Sequence, residues 1–222
     1  MIYTHKDYVL TRSLTALLIV VFLCSCGENT TDSIETPNLF QYALEIEDGV
    51  FSPRQVDFFM SVEEVLQATG LEEYTVIEKD GGKRIRTSVN IDGFPAPFVL
   101  DYVFSDAIGT RLTGVQYHLS IVNKEDADSV YSLLYEQAVS TMPEASGNTI
   151  EGISEGIDVA WEDKEQNNVW LWFFNKENDH PETVAETIIL QIVATRNSSF
   201  VPEDLKSLYE NSMLERSNQE RQ

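Results

Sequence analysis

The chain has 222 residues, and 42% of them are hydrophobic, which is enough for one domain with a substantial core. Its 15 Lys and Arg residues stand against 37 Asp and Glu residues, which gives a formal net charge of -22. A surface this acidic repels the phosphate backbone of nucleic acids, so we expect no DNA or RNA partner.

The N-terminal segment has the pattern of a secretory signal. Lys6 and Arg12 precede an apolar run from Leu14 to Leu23, which is shorter than the ~20 residues of a membrane-spanning helix. The run ends in the sequence LCSCG at 23–27. With leucine three residues before Cys26 and a small residue directly before it, this sequence resembles the bacterial lipobox. The resemblance implies that residues 1–25 are removed and that Cys26 is lipidated.

Lipidation at Cys26 predicts a protein anchored to the cell membrane or envelope by its N-terminal lipid and facing outside the cytoplasm. Cleavage also removes Cys24, so the mature chain has no internal disulfide, thiol nucleophile or cysteine metal ligand. Residues 26–37 are polar and lack apolar periodicity, which predicts a flexible tether. We therefore expect a signal peptide at 1–25, a lipidated tether at 26–37, one folded domain at 38–214 and a polar tail at 215–222.

In the first half of the domain, the sequence predicts two helices with four strands between them. A capping box at 61–64 followed by Gly70 indicates a short helix over 62–69. Asn123 can cap a longer helix that ends near Met142, because Pro143 cannot continue it. Between the helices, alternating apolar residues and tight-turn sequences predict strands at 74–78, 84–91, 98–105 and 112–122.

The second half predicts three strands, at 157–161, 169–174 and 187–195, and a final helix over 202–214. Residues 184–195 also fit a helix, but their many Thr and Ile residues favour a strand. The order helix, four strands, helix, three strands, helix predicts an α+β fold: a single domain with an antiparallel sheet and helices packed on one face.

The opening of the first helix carries a family resemblance. The sequence FMSVEEV at 59–65 resembles the Gly-Met-Ser-x-Glu-Glu-Val opening of small exported domains of the β-lactamase-inhibitor-protein and SmpA/OmlA-like group. The similarity covers about a dozen residues, and Phe59 stands where that pattern has glycine. It implies a protein-binding or envelope-assembly role without catalysis.

Three tryptophans form the candidate binding surface. Trp170 and Trp172 share one face of a strand that is apolar on both faces, and Trp161 lies opposite Asp158 on the hairpin partner. If Trp161 lies beside Trp170 and Trp172, the three form one aromatic core face. The interpretation we favour is a central strand covered on both sides by helices or loops. In a register shifted by one residue, Trp170 and Trp172 lie with Asp158 on a half-open surface suited to a protein, peptide or sugar.

A second candidate is basic. Lys79, Lys83, Arg84 and Arg86 lie on one hairpin and could dock an acidic partner or an anionic polymer. Solubilising charges on an exposed hairpin, some paired with neighbouring glutamates, are the interpretation we favour.

Signs of catalysis are few. Neither His118 nor His180 accompanies a nucleophile-elbow motif, and no His-Glu-x-x-His spacing occurs, so we expect polar histidines rather than a triad or a zinc site. The acidic sequence at 163–168 lacks the glycine and glutamate of an EF-hand, which favours a hairpin loop. We therefore expect no cofactor, no metal and a non-catalytic binding or envelope-assembly module. The alternative is a carboxylate-dependent hydrolase of cell-wall or extracellular glycans.

Overall fold

The computed structural model describes residues 37–142, 157–175, 186–195 and 197–219. The predicted signal peptide, Cys26 and His180 lie outside these residues. The helices of the described part are α1 (Leu39–Ala43), α2 (Val62–Thr69), α3 (Lys124–Thr141) and α4 (Lys206–Gln219). Its strands are β1 (Leu44–Glu47), β2 (Val50–Pro53), β3 (Thr75–Lys79), β4 (Gly82–Val89), β5 (Phe98–Ser105), β6 (Arg111–Ile121), β7 (Ile157–Glu162), β8 (Asn168–Asn175) and β9 (Glu186–Val193).

Seven strands form one antiparallel sheet in the order β3-β4-β5-β6-β9-β8-β7, and β1 and β2 form a separate hairpin. The predicted α+β fold and its element order from α2 to α4 are confirmed. The ambiguous segment is a strand: β9 pairs with β6 on one side and with β8 on the other. A helix there would leave both neighbouring ladders unpaired. No helix in the described part of the chain is long and apolar enough to cross a membrane.

The predicted helix caps are present. The Ser61 hydroxyl accepts a hydrogen bond from the Glu64 N–H, and the Glu64 carboxylate accepts one from the Ser61 N–H, which completes the capping box. Gly70 ends α2 in the left-handed conformation, with φ at 63°. The Asn123 side chain accepts a hydrogen bond from Glu125 N–H at the start of α3.

One face of the sheet forms the core. A row of apolar side chains crosses it from β4 to β7, and all of its members are buried: Ile85, Tyr102, Val115, Ile192, Val169 and Trp161. Helix α3 contributes Leu134 and Ala138, which have no exposed area. We call this side of the sheet the packed face.

The structure adds an N-terminal unit that the sequence analysis left unassigned. Asn38 caps α1 by accepting hydrogen bonds from two backbone N–H groups, and Gln137 of α3 accepts one from Leu39 N–H at 2.9 Å. Asp48 and Gly49 both have positive φ, as a type I′ hairpin between β1 and β2 requires. The Asp-Gly pair was the local signal for this hairpin.

Helix α4 differs from its predicted bounds at both ends. It begins at Lys206, because Leu205 N–H bonds the Pro202 carbonyl and closes a turn before the helix. It continues to Gln219, so the first part of the predicted polar tail is helical.

Candidate functional site: the open face of the sheet

The second face of the sheet is accessible along its central strands. The residues of β5, β6 and β9 that alternate with the packed ones are partly exposed: Val99, Val103, Gln116, His118, Ile189, Gln191 and Val193. Asp101 lies among them and has no exposed area. These residues, together with Arg84, Arg86, Trp170 and Trp172, form what we call the open face.

Asp101 is buried by the cations that surround it. Arg86 binds it with two parallel hydrogen bonds, Nε to Oδ1 and Nη2 to Oδ2, each 2.7 Å long. Arg84 lies farther away, with Nη1 3.5 Å from Asp101 Oδ2 and 3.4 Å from Gln116 Oε1. His118 Nε2 lies 3.7 Å from the same carboxylate oxygen and 3.2 Å from Gln116 Oε1. The strand register creates this cluster, since Arg86, Asp101 and Gln116 are direct cross-strand neighbours.

These contacts determine the ionisation of the cluster. Burial by itself raises the pKa of Asp101, but the Arg86 hydrogen bonds and the charges of Arg86, His118 and Arg84 outweigh it, so the pKa is lowered. The hydrogen bond to Asp101 raises the pKa of Arg86. Burial lowers the pKa of His118, against the opposing attraction of Asp101. At neutral pH the open face therefore holds an ionised aspartate, two arginines and a neutral histidine.

Replacing His118 by glutamine is expected to flatten the dependence of stability on pH between about 7 and 5. The unfolded chain protonates His118 below its ordinary pKa of 6.5, whereas the folded chain resists protonation. The unfolded state then binds more protons, so the free energy of unfolding of the native sequence falls as the pH drops through this range. Urea unfolding at pH 7, 6 and 5 measures the effect. Identical slopes in both proteins would contradict the assigned pKa direction.

The two candidate tryptophans of β8 lie side by side on the open face. Trp161 pairs with Val169 and Ala160 with Trp170, so the structure has the shifted register of the two that the sequence left open. Trp170 and Trp172 are partly exposed, with ring centroids 5.6 Å apart and an angle of 43° between the planes. Both indole nitrogens are buried, and neither N–H has a hydrogen-bond partner within the described ranges.

The other members of that candidate surface lie elsewhere. Trp161 is on the packed face, is 4% exposed and contacts the edge of Phe40 with centroids 6.0 Å apart. Asp158 lies where the β7–β8 register shifts, and its side chain is outside the described part of the structure.

The predicted basic patch divides in two. Arg84 and Arg86 face Asp101, whereas Lys83 has the opposite strand parity and Lys79 lies exposed at the end of the β3–β4 hairpin. Our expectation of glutamate partners is wrong for the arginines, because their carboxylate is Asp101 of the next strand. The sequence analysis did not single out Asp101 and so missed this pairing.

The acidic loop between β7 and β8 has a structural role. Asp163 accepts hydrogen bonds from the N–H groups of Phe51, Glu165 and Asn167 and from the Asn167 side chain. Asn167 in turn accepts one from Thr195 N–H at 2.8 Å. The loop is a hairpin, as expected, and its central carboxylate binds protein donors. Among the residues that the structure describes, no group of three or more His, Cys, Asp or Glu side chains could hold a metal ion.

Comparison with protein-family models, with curated proteins and with solved structures gives no match to this chain. The function of this chain is therefore inferred from the chemistry of its own residues.

Proposed function

We propose that this protein is a lipid-anchored module outside the cytoplasm that binds a protein partner through the open face and performs no catalysis. The observation that carries the proposal is the Trp170–Trp172 pair, which stands partly exposed on the face of the sheet opposite the core. Adjacent aromatic side chains that stay partly exposed on one face are typical of interaction surfaces.

The composition of the open face favours a protein that presents an acidic segment. Tryptophan and arginine are the residues that most often dominate binding energy at protein interfaces, and the open face carries two of each. The cluster on the open face has two arginines, Arg84 and Arg86, and one carboxylate, Asp101, whereas the whole chain has a net charge of -22. An acidic partner is repelled by most of the surface and is attracted here, which would orient its approach.

The lipobox resemblance supports the proposed location of the protein at the membrane. Lipidated Cys26 would hold the domain at the membrane through the tether of residues 26–37. The acidic domain would be repelled by anionic headgroups, which keeps its open face available to a partner.

The glycan-hydrolase alternative gains no specific support. General acids in such enzymes have a raised carboxyl pKa. In the described ranges, the carboxyl groups with clear shifts are Asp101 and Glu64, and both pKa values are lowered.

Intact-mass spectrometry of the membrane-extracted protein tests the anchoring. We expect the native protein to lack residues 1–25 and to carry acyl chains on Cys26, and the Cys24→Ala variant to be processed in the same way. The Cys26→Ala variant should show neither change, because it has no thiol to acylate. The anchoring proposal is contradicted if Cys26 of the native protein is unmodified. It is also contradicted if the Cys26→Ala chain is cleaved and gains the same added mass as the Cys24→Ala chain.

A further inference from the structure

A cavity of about 510 Å³ lies beside the open face, between the sheet and α4. Its walls come from the β3–β4 hairpin, from β5, β6 and β9, and from Tyr209 and Ser212 of α4. Its volume falls within the ~300–1,000 Å³ typical of small-molecule sites. Much of the lining is apolar: Phe59, Val103, Phe104, Ile108 and Val193.

The charge of the lining is opposite to that of the chain. The lining includes the cationic residues Lys79 and Arg84, together with Lys83 at the opposite strand parity, and Asp80 is the one carboxylate among the lining residues. In the whole sequence acids outnumber Lys and Arg by 37 to 15. A cavity whose lining combines cationic residues with apolar side chains suits an anion with an apolar body.

Arg84 is the cation best placed to bind that anion. Arg86 already satisfies Asp101 with two 2.7 Å hydrogen bonds, whereas the Arg84 contacts to Asp101 and Gln116 are 3.5 and 3.4 Å long. The Arg84 side chain is 27% exposed and lines the cavity. Its planar guanidinium has donors to spare for a bidentate pair with a carboxylate.

The backbone at the cavity is strained. Phe59, which lines the cavity, has φ at 68°, a conformation that bulky side chains rarely adopt. Hydrogen bonds to the neighbouring strand hold it there, from Phe59 N–H to the Leu112 carbonyl at 2.8 Å and from Leu112 N–H to the Met60 carbonyl at 2.9 Å. Strain of this kind is concentrated at ligand sites, where it positions a side chain that relaxed backbone could not.

We propose that this cavity binds a small carboxylate-bearing molecule with an apolar body, and that Arg84 receives the carboxylate. The apolar part contacts Val103, Val193 and Phe59, and α4 covers it with Tyr209 and Ser212. This site shares Arg84, Val103 and Val193 with the open face but does not include the Trp170–Trp172 pair, and it does not depend on the open face binding a protein.

Two fluorescent probes with the same naphthalene group test the proposal: dansylglycine, which has a carboxylate, and dansylamide, which has none. The membrane-extracted protein is reconstituted in lipid nanodiscs, and the signal of empty nanodiscs is subtracted. We expect dansylglycine to bind with blue-shifted emission and dansylamide to bind about tenfold more weakly, because it lacks the charge-assisted hydrogen bonds to Arg84.

Three variants locate the site. Arg84→Gln should weaken dansylglycine binding about tenfold and leave dansylamide unchanged, while Asp101 keeps both bonds to Arg86. Arg54→Gln removes an equal charge at a residue that does not line the cavity, and it should leave the binding of both probes unchanged. Ser212→Trp fills the cavity from α4 and should abolish binding of both.

The proposal is overturned if dansylglycine does not bind at up to about 1 mM, or if both probes bind equally. It is also overturned if Arg84→Gln and Arg54→Gln have equal effects or if Ser212→Trp has none. Near-UV circular dichroism confirms that each variant is folded. Because the readout is a small molecule, loss of a protein partner by the open face would leave these results unchanged.

Discussion

Replacement of Trp161 by alanine is expected to lower the free energy of unfolding by about 3–5 kcal/mol. The indole is 4% exposed, packs against Phe40 and closes the row of apolar side chains at the β7 edge of the packed face. Its removal leaves a cavity between α1 and the sheet that the surrounding backbone can fill only in part. Equilibrium urea unfolding of the variant and the native protein measures the difference.

Trp172→Ala provides the matched comparison, because the same atoms are removed from the open face. Trp172 is partly exposed, so we expect a smaller cost of about 2 kcal/mol. Equal costs for the two substitutions would mean that both rings are equally packed, and would contradict the division of the sheet into a packed and an open face.

Replacement of Asp101 by asparagine is expected to cost about 2–3 kcal/mol at pH 7. Removing one partner of a buried ion pair costs ~3–5 kcal/mol, and the cost is smaller here because the arginines can regain water. The side chain of Arg86 is 43% exposed and that of Arg84 27%, whereas Asp101 has no exposed area. Asp128→Asn on the exposed surface of α3 is the control, with an expected change within about 0.5 kcal/mol.

The contribution of Asp101 also has a defined pH window. Its folded pKa lies below the ordinary value of 3.8, so the stabilisation is present above about pH 3.8 and is lost as the pH falls through the folded pKa. Asp101→Asn should therefore be closer to the native protein in stability at pH 2 than at pH 7. A difference that stays constant between these pH values would show that the charge of Asp101 is not the cause.

The predictable parts of this fold are those coded locally. The capping box at Ser61 and Glu64, the Asn123 cap and the isoleucine-rich sequence of β9 each act within a few residues, so the sequence pattern is enough to place α2, α3 and the strand. The α1–β1–β2 unit was missed because α1 is too short to show helical periodicity. Its position depends on the distant Gln137 instead.

The register of the β7–β8 hairpin could not be predicted because its loop sets it. Asp163 N–H bonds the Asn167 carbonyl at 3.0 Å, which aligns Trp161 with Val169 and places it on the packed face. A loop shorter by one residue would move Trp161 to the other face. The Asp101 cluster was missed for a related reason: strand parity indicates which side chains share a face, whereas the pairing register determines which of them meet.

Site-specific photo-crosslinking in cells of the native host tests the central claim, that the open face binds a protein partner. A photoreactive amino acid replaces Ser120, an exposed residue of β6 on the open face, or Glu136, an exposed residue of α3 on the opposite side. We expect the Ser120 probe to capture an acidic segment of one protein, the Glu136 probe to capture none, and the Trp170→Ser/Trp172→Ser double variant to lose the Ser120 product. A Ser120 product that persists without the two tryptophans, equal capture from Glu136, or no protein product from Ser120 would contradict the proposal.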